Sequence, residues 1–190
     1  MHLGYYQLAC YLWLVLAAIW LFGLLTAKPV TRRQSWGSRL LEVALSLLAF
    51  CLVFSQYFRS GWLAQRFLPS SALAGQIGLL VTFLGVAFAT WARLQLGGNW
   101  SSSVTIKQGH TLVRRGPYTI VRHPIYTGLL LAILGVAIIV GEYRGLFGVG
   151  VLFLAYWLKS SREERFMLEQ FDGEYRQYQG QVKALIPYIF

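Results

Sequence analysis

Ile125-Tyr-Thr-Gly-Leu-Leu-Leu-Ala-Ile-Leu-Gly-Val-Ala-Ile-Ile-Val140, then Gly141-Glu-Tyr-Arg-Gly145, then Leu146-Phe-Gly-Val-Gly-Val-Leu-Phe-Leu-Ala-Tyr-Trp-Leu158: two apolar runs of 16 and 13 residues flank a short polar turn. As helices at 1.5 Å per residue the runs reach roughly 20–24 Å, short of a hydrocarbon core of about 30 Å. The turn has glycine at both ends, so the pair reads as a helical hairpin.

Outward from the hairpin the chain is mostly apolar. Toward the N-terminus, Tyr5–Leu25, Leu40–Phe58 and Ala72–Trp91 are each long enough to span a bilayer. No Lys or Arg precedes Lys28, so the first run lacks the basic start of a signal peptide and reads as a retained membrane helix. Toward the C-terminus, Lys159–Phe190 is charged and aromatic and reads as helix as far as Tyr178. The whole chain of 190 residues is 56% hydrophobic and only 13% charged. A soluble domain carries about 25% charged residues, so too little charge is present to coat a soluble surface. The apolar and aromatic content excludes a disordered chain. The net charge of +10 is too thinly spread for a nucleic-acid surface, and no nucleic-acid partner is expected. The fold class is an all-α integral membrane protein of about five transmembrane helices. The last two form the hairpin, and a cytosolic helical segment follows them.

Basic residues orient the spans, because Lys and Arg accumulate on the cytoplasmic side. The loop before the second span holds Lys28, Arg32, Arg33 and Arg39. The long polar stretch after the third holds Arg93, Lys107, Arg114, Arg115 and Arg122, and the tail holds Lys159, Arg162, Arg165, Arg176 and Lys183. The link after the second span has only Arg59 and Arg66, and the hairpin turn only Arg144. One arrangement satisfies every connection: N-terminus outside, five crossings, and long loop and tail together in the cytosol. Residues 1–92 then form three N-terminal helices. Residues 93–190 form the part carrying the polar segments, within one integrated membrane domain.

Five of the seven acidic residues, Glu163, Glu164, Glu169, Asp172 and Glu174, fall in the tail, while Glu42 is the sole acid among the first 140 residues. Cys10 and Cys51 lie in apolar stretches and read as small buried hydrophobes. His2, His110 and His123 are far apart in sequence, and no metal site is expected.

Two segments could carry chemistry. Gly109–Gly128 gathers donors (Arg122, His123), phenols (Tyr118, Tyr126) and the shaping residues Pro117, Pro124 and Gly128. Pro124 suits the first turn of the hairpin helix. Arg122 and His123 then stand at its mouth, where unpaired backbone N–H groups favour an anion. Flanking positive charge with interfacial tyrosines accounts for the same residues equally well by spacing. Glu163 and Glu164, at the exit of the hairpin, read either as a salt-bridged solvated helix or as carboxylates retained for use beside the bilayer.

Arg122-His-Pro-Ile-Tyr126, a hydrophobic hairpin and then Glu163-Glu164 resemble the isoprenylcysteine carboxyl methyltransferase family in its prokaryotic form. His110-Thr-Leu-Val113, Gly116 and Tyr118 ahead of the triplet match that pattern. So do Phe171, Gly173, Glu174, Tyr175, Tyr178 and Pro187 after it; the likeness covers about residues 99–187. The resemblance implies a membrane methyltransferase using S-adenosyl-L-methionine in a cytosol-facing pocket. Its cofactor-binding residues would be His110, Thr111, Leu112, Val113, Tyr118, Arg122, His123, Pro124, Tyr126 and Glu163, with Thr105 or a neighbour closing one side. It also implies a lipophilic or prenylated small substrate, met within the membrane lipids. A basic residue lies near its carboxylate: Lys159, at a position where animal members have Arg, or Arg162 in its place. Lys159, Arg162 and Glu164 are the candidate catalytic residues. Methyl transfer to a carboxylate needs no base, because that acceptor is ionised at neutral pH. A thiol or a lipid head-group amine would need His123 or Glu164 to remove a proton. A nicotinamide-dependent reductase would need a glycine-rich fingerprint that is missing. A small transporter or scaffold would show a repeat or mid-span ionisable residues.

Overall fold

The computed structural model describes residues 3–24, 30–33, 35–97, 105–107 and 112–189. Five helices make up the fold: α1 (Leu3–Leu24), α2 (Trp36–Phe54), α3 (Ala72–Leu96), α4 (Pro124–Val140) and α5 (Tyr143–Gln181). α1, α2 and α3 are long and apolar enough to cross a membrane, and α4 is a shorter apolar helix of 17 residues. A helix stands at each of the five expected apolar runs, with shifted ends. α2 begins four residues before the expected Leu40 because the Ser35 side chain caps it, accepting from the Ser38 N–H. α3 runs past Trp91 to Leu96 and stops at Gly97, whose φ of 55° suits glycine.

α5 joins the hairpin's second arm to the tail in one helix of 39 residues, interrupted where Asp172 takes φ 32°. Hydropathy falls at Lys159, but the backbone hydrogen-bond ladder continues through it. Beyond Asp172 the last turns, Gly173–Gln181, form a separate leg. A two-stranded antiparallel ladder adds a small sheet: β1 (Val30–Arg33) pairs with β2 (Thr105–Lys107).

α4 is the centre of the bundle and packs on α3 by close backbone approach. A Cβ placed on Gly85 would stand 2.3 Å from the Ala132 nitrogen, and one on Gly135 would stand 2.4 Å from the Thr82 nitrogen. Small residues replace the missing hydrophobic drive between helices in a bilayer, because they let backbones meet. Thr82 Oγ1 also reaches across to the Ala132 carbonyl at 3.3 Å. α2 packs on α5 around Gly148, and α1 leans on α2 through Trp13, edge-on to Phe50 and Phe54. Cys51 is exposed on the apolar surface of α2, and Cys10 is half-buried.

The connections fall at two ends. At one end β1 pairs with β2, Val121 bridges Lys183, and Arg114 pairs with Glu174. At the other, the link after α2 meets the hairpin turn: the Phe67 N–H donates to Gly141, and Arg59 reaches Glu142 at 2.9 Å. The loop before α2, the long stretch before α4 and the tail therefore share one end, as the distribution of basic residues requires.

Candidate active site at the mouth of α4

Pro124 is the first residue of α4, and His123 caps its N-terminus with φ −120°. Gly116, at φ 63°, turns the chain so that Pro117 and Tyr118 bury below it. The C-terminal segment closes the other side. The backbone N–H groups of Arg122 and His123 donate to the carbonyls of Lys183 (2.8 Å) and Ala184 (3.0 Å). Thr127 Oγ1 donates to the Leu185 carbonyl at 2.7 Å, and the Tyr178 hydroxyl donates to the Tyr118 carbonyl. The anion-favouring mouth receives carboxylates from α5 itself.

Those carboxylates are Glu163 and Glu164, neighbours on α5 whose side chains meet both nitrogens of one buried imidazole. His123 Nε2 lies 3.0 Å from Glu164, and Nδ1 lies 3.4 Å from Glu163. Arg122 adds Nε and Nη2 to the same Glu164 oxygen, at 2.8 and 2.7 Å. Gln179 Nε2 donates to the other Glu164 oxygen at 2.9 Å. The Tyr126 hydroxyl donates to Glu163, and its ring stacks with two neighbours, 5.6 Å from His123 and 4.8 Å from Tyr156. Lys159 Nζ stands 5.3 Å from the centre of the Tyr126 ring, a cation–π distance.

The charges settle one another. Burial alone would lower the His123 pKa, but hydrogen bonds and charge from Glu163 and Glu164 outweigh it and hold it above the ordinary value. Burial likewise opposes ionisation of Glu163 and Glu164. Their contacts with His123, helped by Lys159 at Glu163 and Arg122 at Glu164, bring both below the ordinary carboxylate value. The site is thus an imidazole with a carboxylate at each nitrogen, an arrangement that favours its charged form. Burial raises the Tyr118, Tyr175 and Tyr178 phenols, so they remain hydrogen-bond donors.

The structure brings together Arg122, His123, Pro124, Tyr126, Lys159, Glu163 and Glu164 from the sequence-derived set. Val113 packs beside Tyr118 and Ile125, and Leu112 is half-buried next to it. His110 and Thr111 lie outside the described residues. Arg162 goes elsewhere: it pairs with Glu42 of α2, which is buried. Sequence reasoning left out Gln179, Tyr156 and Glu42. Only Glu42 carried a signal, as the lone acid in an otherwise acid-free half.

The profile of the phospholipid methyltransferase family matches residues 73–174. A probable protein-S-isoprenylcysteine O-methyltransferase of rice is 24% identical over 184 residues, covering 93% of this chain and 96% of its own. The protein-S-isoprenylcysteine O-methyltransferase of Schizosaccharomyces pombe is 33% identical over 110 residues, 56% of this chain and 46% of that one. A solved structure of a eukaryotic intramembrane Ras methyltransferase, isoprenylcysteine carboxyl methyltransferase, superposes with TM-score 0.51 at 25% identity. It covers 82% of this chain and 54% of the solved one. The chain thus spans about half the length of the yeast relative and of the solved protein.

Proposed function

This chain belongs to the phospholipid methyltransferase family, and from that premise we propose that it transfers a methyl group from S-adenosyl-L-methionine to the carboxylate of a lipophilic, prenylated acceptor. The observation that carries the choice of acceptor is the placement of His123. Both its nitrogens face carboxylates, and those contacts outweigh burial and raise its pKa, favouring the protonated form. With both nitrogens turned to carboxylates the ring presents none to an acceptor, and Glu164, surrounded by cations and an amide, is an equally poor base. Among the described residues the site is therefore suited to an acceptor that arrives ionised. A carboxylate does so at neutral pH, whereas amines and thiols do not.

The donor set fits the methyl donor. Tyr126 already holds a cation, Lys159, against its face, so its ring tolerates a sulfonium. Glu163 is the more exposed of the two glutamates, with 22% of its side chain accessible, and can accept from hydroxyls or an ammonium. By resemblance, His110 to Val113, Tyr118, Arg122 and Pro124 complete the pocket, and Lys159 meets the acceptor carboxylate. When bound, the cofactor supplies an electrophilic methyl. The protein aligns the acceptor oxygen, excludes water and moves no proton. Arg162, paired with Glu42, fixes α5 against α2. The positive-inside rule puts this end in the cytosol, with residues 1–92 as frame and 93–190 as the catalytic part.

The test is transfer of labelled methyl by the detergent-purified protein into prenylcysteine carboxylates, thiols and phospholipid head-group amines. A methyl ester releases its label in alkali, and an N-methyl or S-methyl product does not. The expected result is an alkali-labile product on the prenylated acid. An alkali-stable product on a head-group amine would move the reading to phospholipid methylation.

A further inference from the structure

Glu163 and Glu164 read as one motif in sequence, yet their surroundings divide. An ionised carboxylate offers about four lone-pair sites. At Glu164 one oxygen takes Arg122 Nε and Nη2 and His123 Nε2, the other takes Gln179 Nε2, and only 16% of the side chain is accessible. Glu163 meets the Tyr126 hydroxyl and a longer contact to His123, and is the more accessible. The remaining guanidinium nitrogen, Arg122 Nη1, donates to the carbonyls of Gln179 and Val182. Those carbonyls belong to the last turn and the cap of α5, where four carbonyls lack helical partners. Arg122 is thus a side-chain cap for that leg, and Glu164 holds Arg122 in place.

Further bonds run in the same direction. Tyr178, Lys183, Ala184 and Leu185 each bond to residues between Tyr118 and Thr127. The segment Tyr175–Leu185 forms a strap across the mouth of α4, hinged where Asp172 breaks the helix.

We propose that Glu164 is a positioning residue that touches neither methyl donor nor acceptor: with Arg122 and Gln179 it buckles the strap Tyr175–Leu185 onto the mouth of α4 and orients His123 toward Glu163. The buckle itself is independent of the methyltransferase reading, and only its consequence for turnover rests on that reading.

Trypsin tests it, because Lys183 and Arg176 lie in the strap and the Lys183 carbonyl is bonded to Arg122. Full-length protein in detergent is digested while S-adenosylhomocysteine binding is measured by calorimetry. Glu164→Gln should speed cleavage at Lys183 by about tenfold, as expected when one charge-assisted contact closing a local opening is lost. Glu163→Gln should leave cleavage at the wild-type rate and weaken binding more than Glu164→Gln does. With Glu164→Gln, kcat should fall further than the donor KM rises. If Glu164→Gln does not fold, Arg122→Lys and Gln179→Ala decide, since each loosens the buckle while leaving Glu164 in place. Faster cleavage in either supports it. Wild-type cleavage in every folded variant overturns it. Absence of product binding in all proteins, wild type included, would remove the methyltransferase reading while cleavage still decided the buckle.

Discussion

The two ends of the bundle each bury an arginine against a glutamate: Arg144 against Glu142 in the hairpin turn, Arg122 against Glu164 at the mouth of α4. At the hairpin turn Arg144 is 1% exposed and its Nη1 donates to the carbonyls of Leu52, Val53 and Ser55, capping α2. Glu142 takes Arg144 and Arg59, and among the described residues the cluster includes no imidazole. It is a staple between α2 and the hairpin. The mouth of α4 uses the same pair chemistry to cap the α5 leg, but surrounds it with His123, Glu163, Tyr126 and Lys159. The lesson is that a buried ion pair does not mark a functional site. What sets the proposed site apart is a second, more accessible carboxylate, an imidazole between the two and an aromatic ring facing a lysine.

The largest effect should come from the staple. Arg144→Ala leaves three carbonyls without their donor and Glu142 with Arg59 alone. Breaking a buried pair in this way costs about 3–5 kcal/mol. Thermal unfolding in detergent should show the loss, and activity should fall only as the folded fraction does. An unaltered melting temperature would show that the staple does not hold the helices.

Next is the pH response, which should separate the two ends. The His123 pKa stands above its ordinary value near 6.5, so its stabilisation is complete below that value and is lost as pH rises through the elevated one. The pKa values of Glu163 and Glu164 stand below the ordinary 4.5, so theirs is complete above that value and lost as pH falls through the depressed ones. The mouth is therefore most stable between about 4.5 and 6.5. Thermal stability should decline on the alkaline side of that window, and His123→Gln should abolish the decline. A decline that survives His123→Gln would place its origin elsewhere.

The smallest effect should be that of Tyr126→Phe, which keeps the stacked ring and removes one hydrogen bond to Glu163. A loss of about 1.5–3 kcal/mol is the upper range for a bond to a charged group. The partial exposure of Glu163 lets water replace the phenol and brings the stability cost nearer 1 kcal/mol. A melting-temperature shift as large as that of Arg144→Ala would contradict the distinction between staple and site.

Much of this was legible in the sequence. Five helices followed from apolar run length, and the shared end of three connections followed from seventeen basic residues. The ordered residues from Arg122 to Glu164 pointed to the mouth. What was hidden is non-local. Nothing near Arg162 shows that its partner is Glu42, 120 residues earlier. The pairing of Val121–His123 with Lys183–Ala184 is backbone bonding without side-chain signature. The start of α2 moved because Ser35 caps it, and α5 continued through Lys159 because a drop in hydropathy does not interrupt a helix.

The central claim is that the mouth of α4 is a methyl-transfer site with Glu163 as a cofactor ligand. Calorimetric titration of S-adenosylhomocysteine into the detergent-purified protein and into Glu163→Gln tests it most directly. Saturable binding to the wild type, weakened at least about tenfold in the variant by loss of a charge-assisted hydrogen bond, is the expected result. Absence of binding to the wild type, or equal affinity in the two proteins, would contradict it.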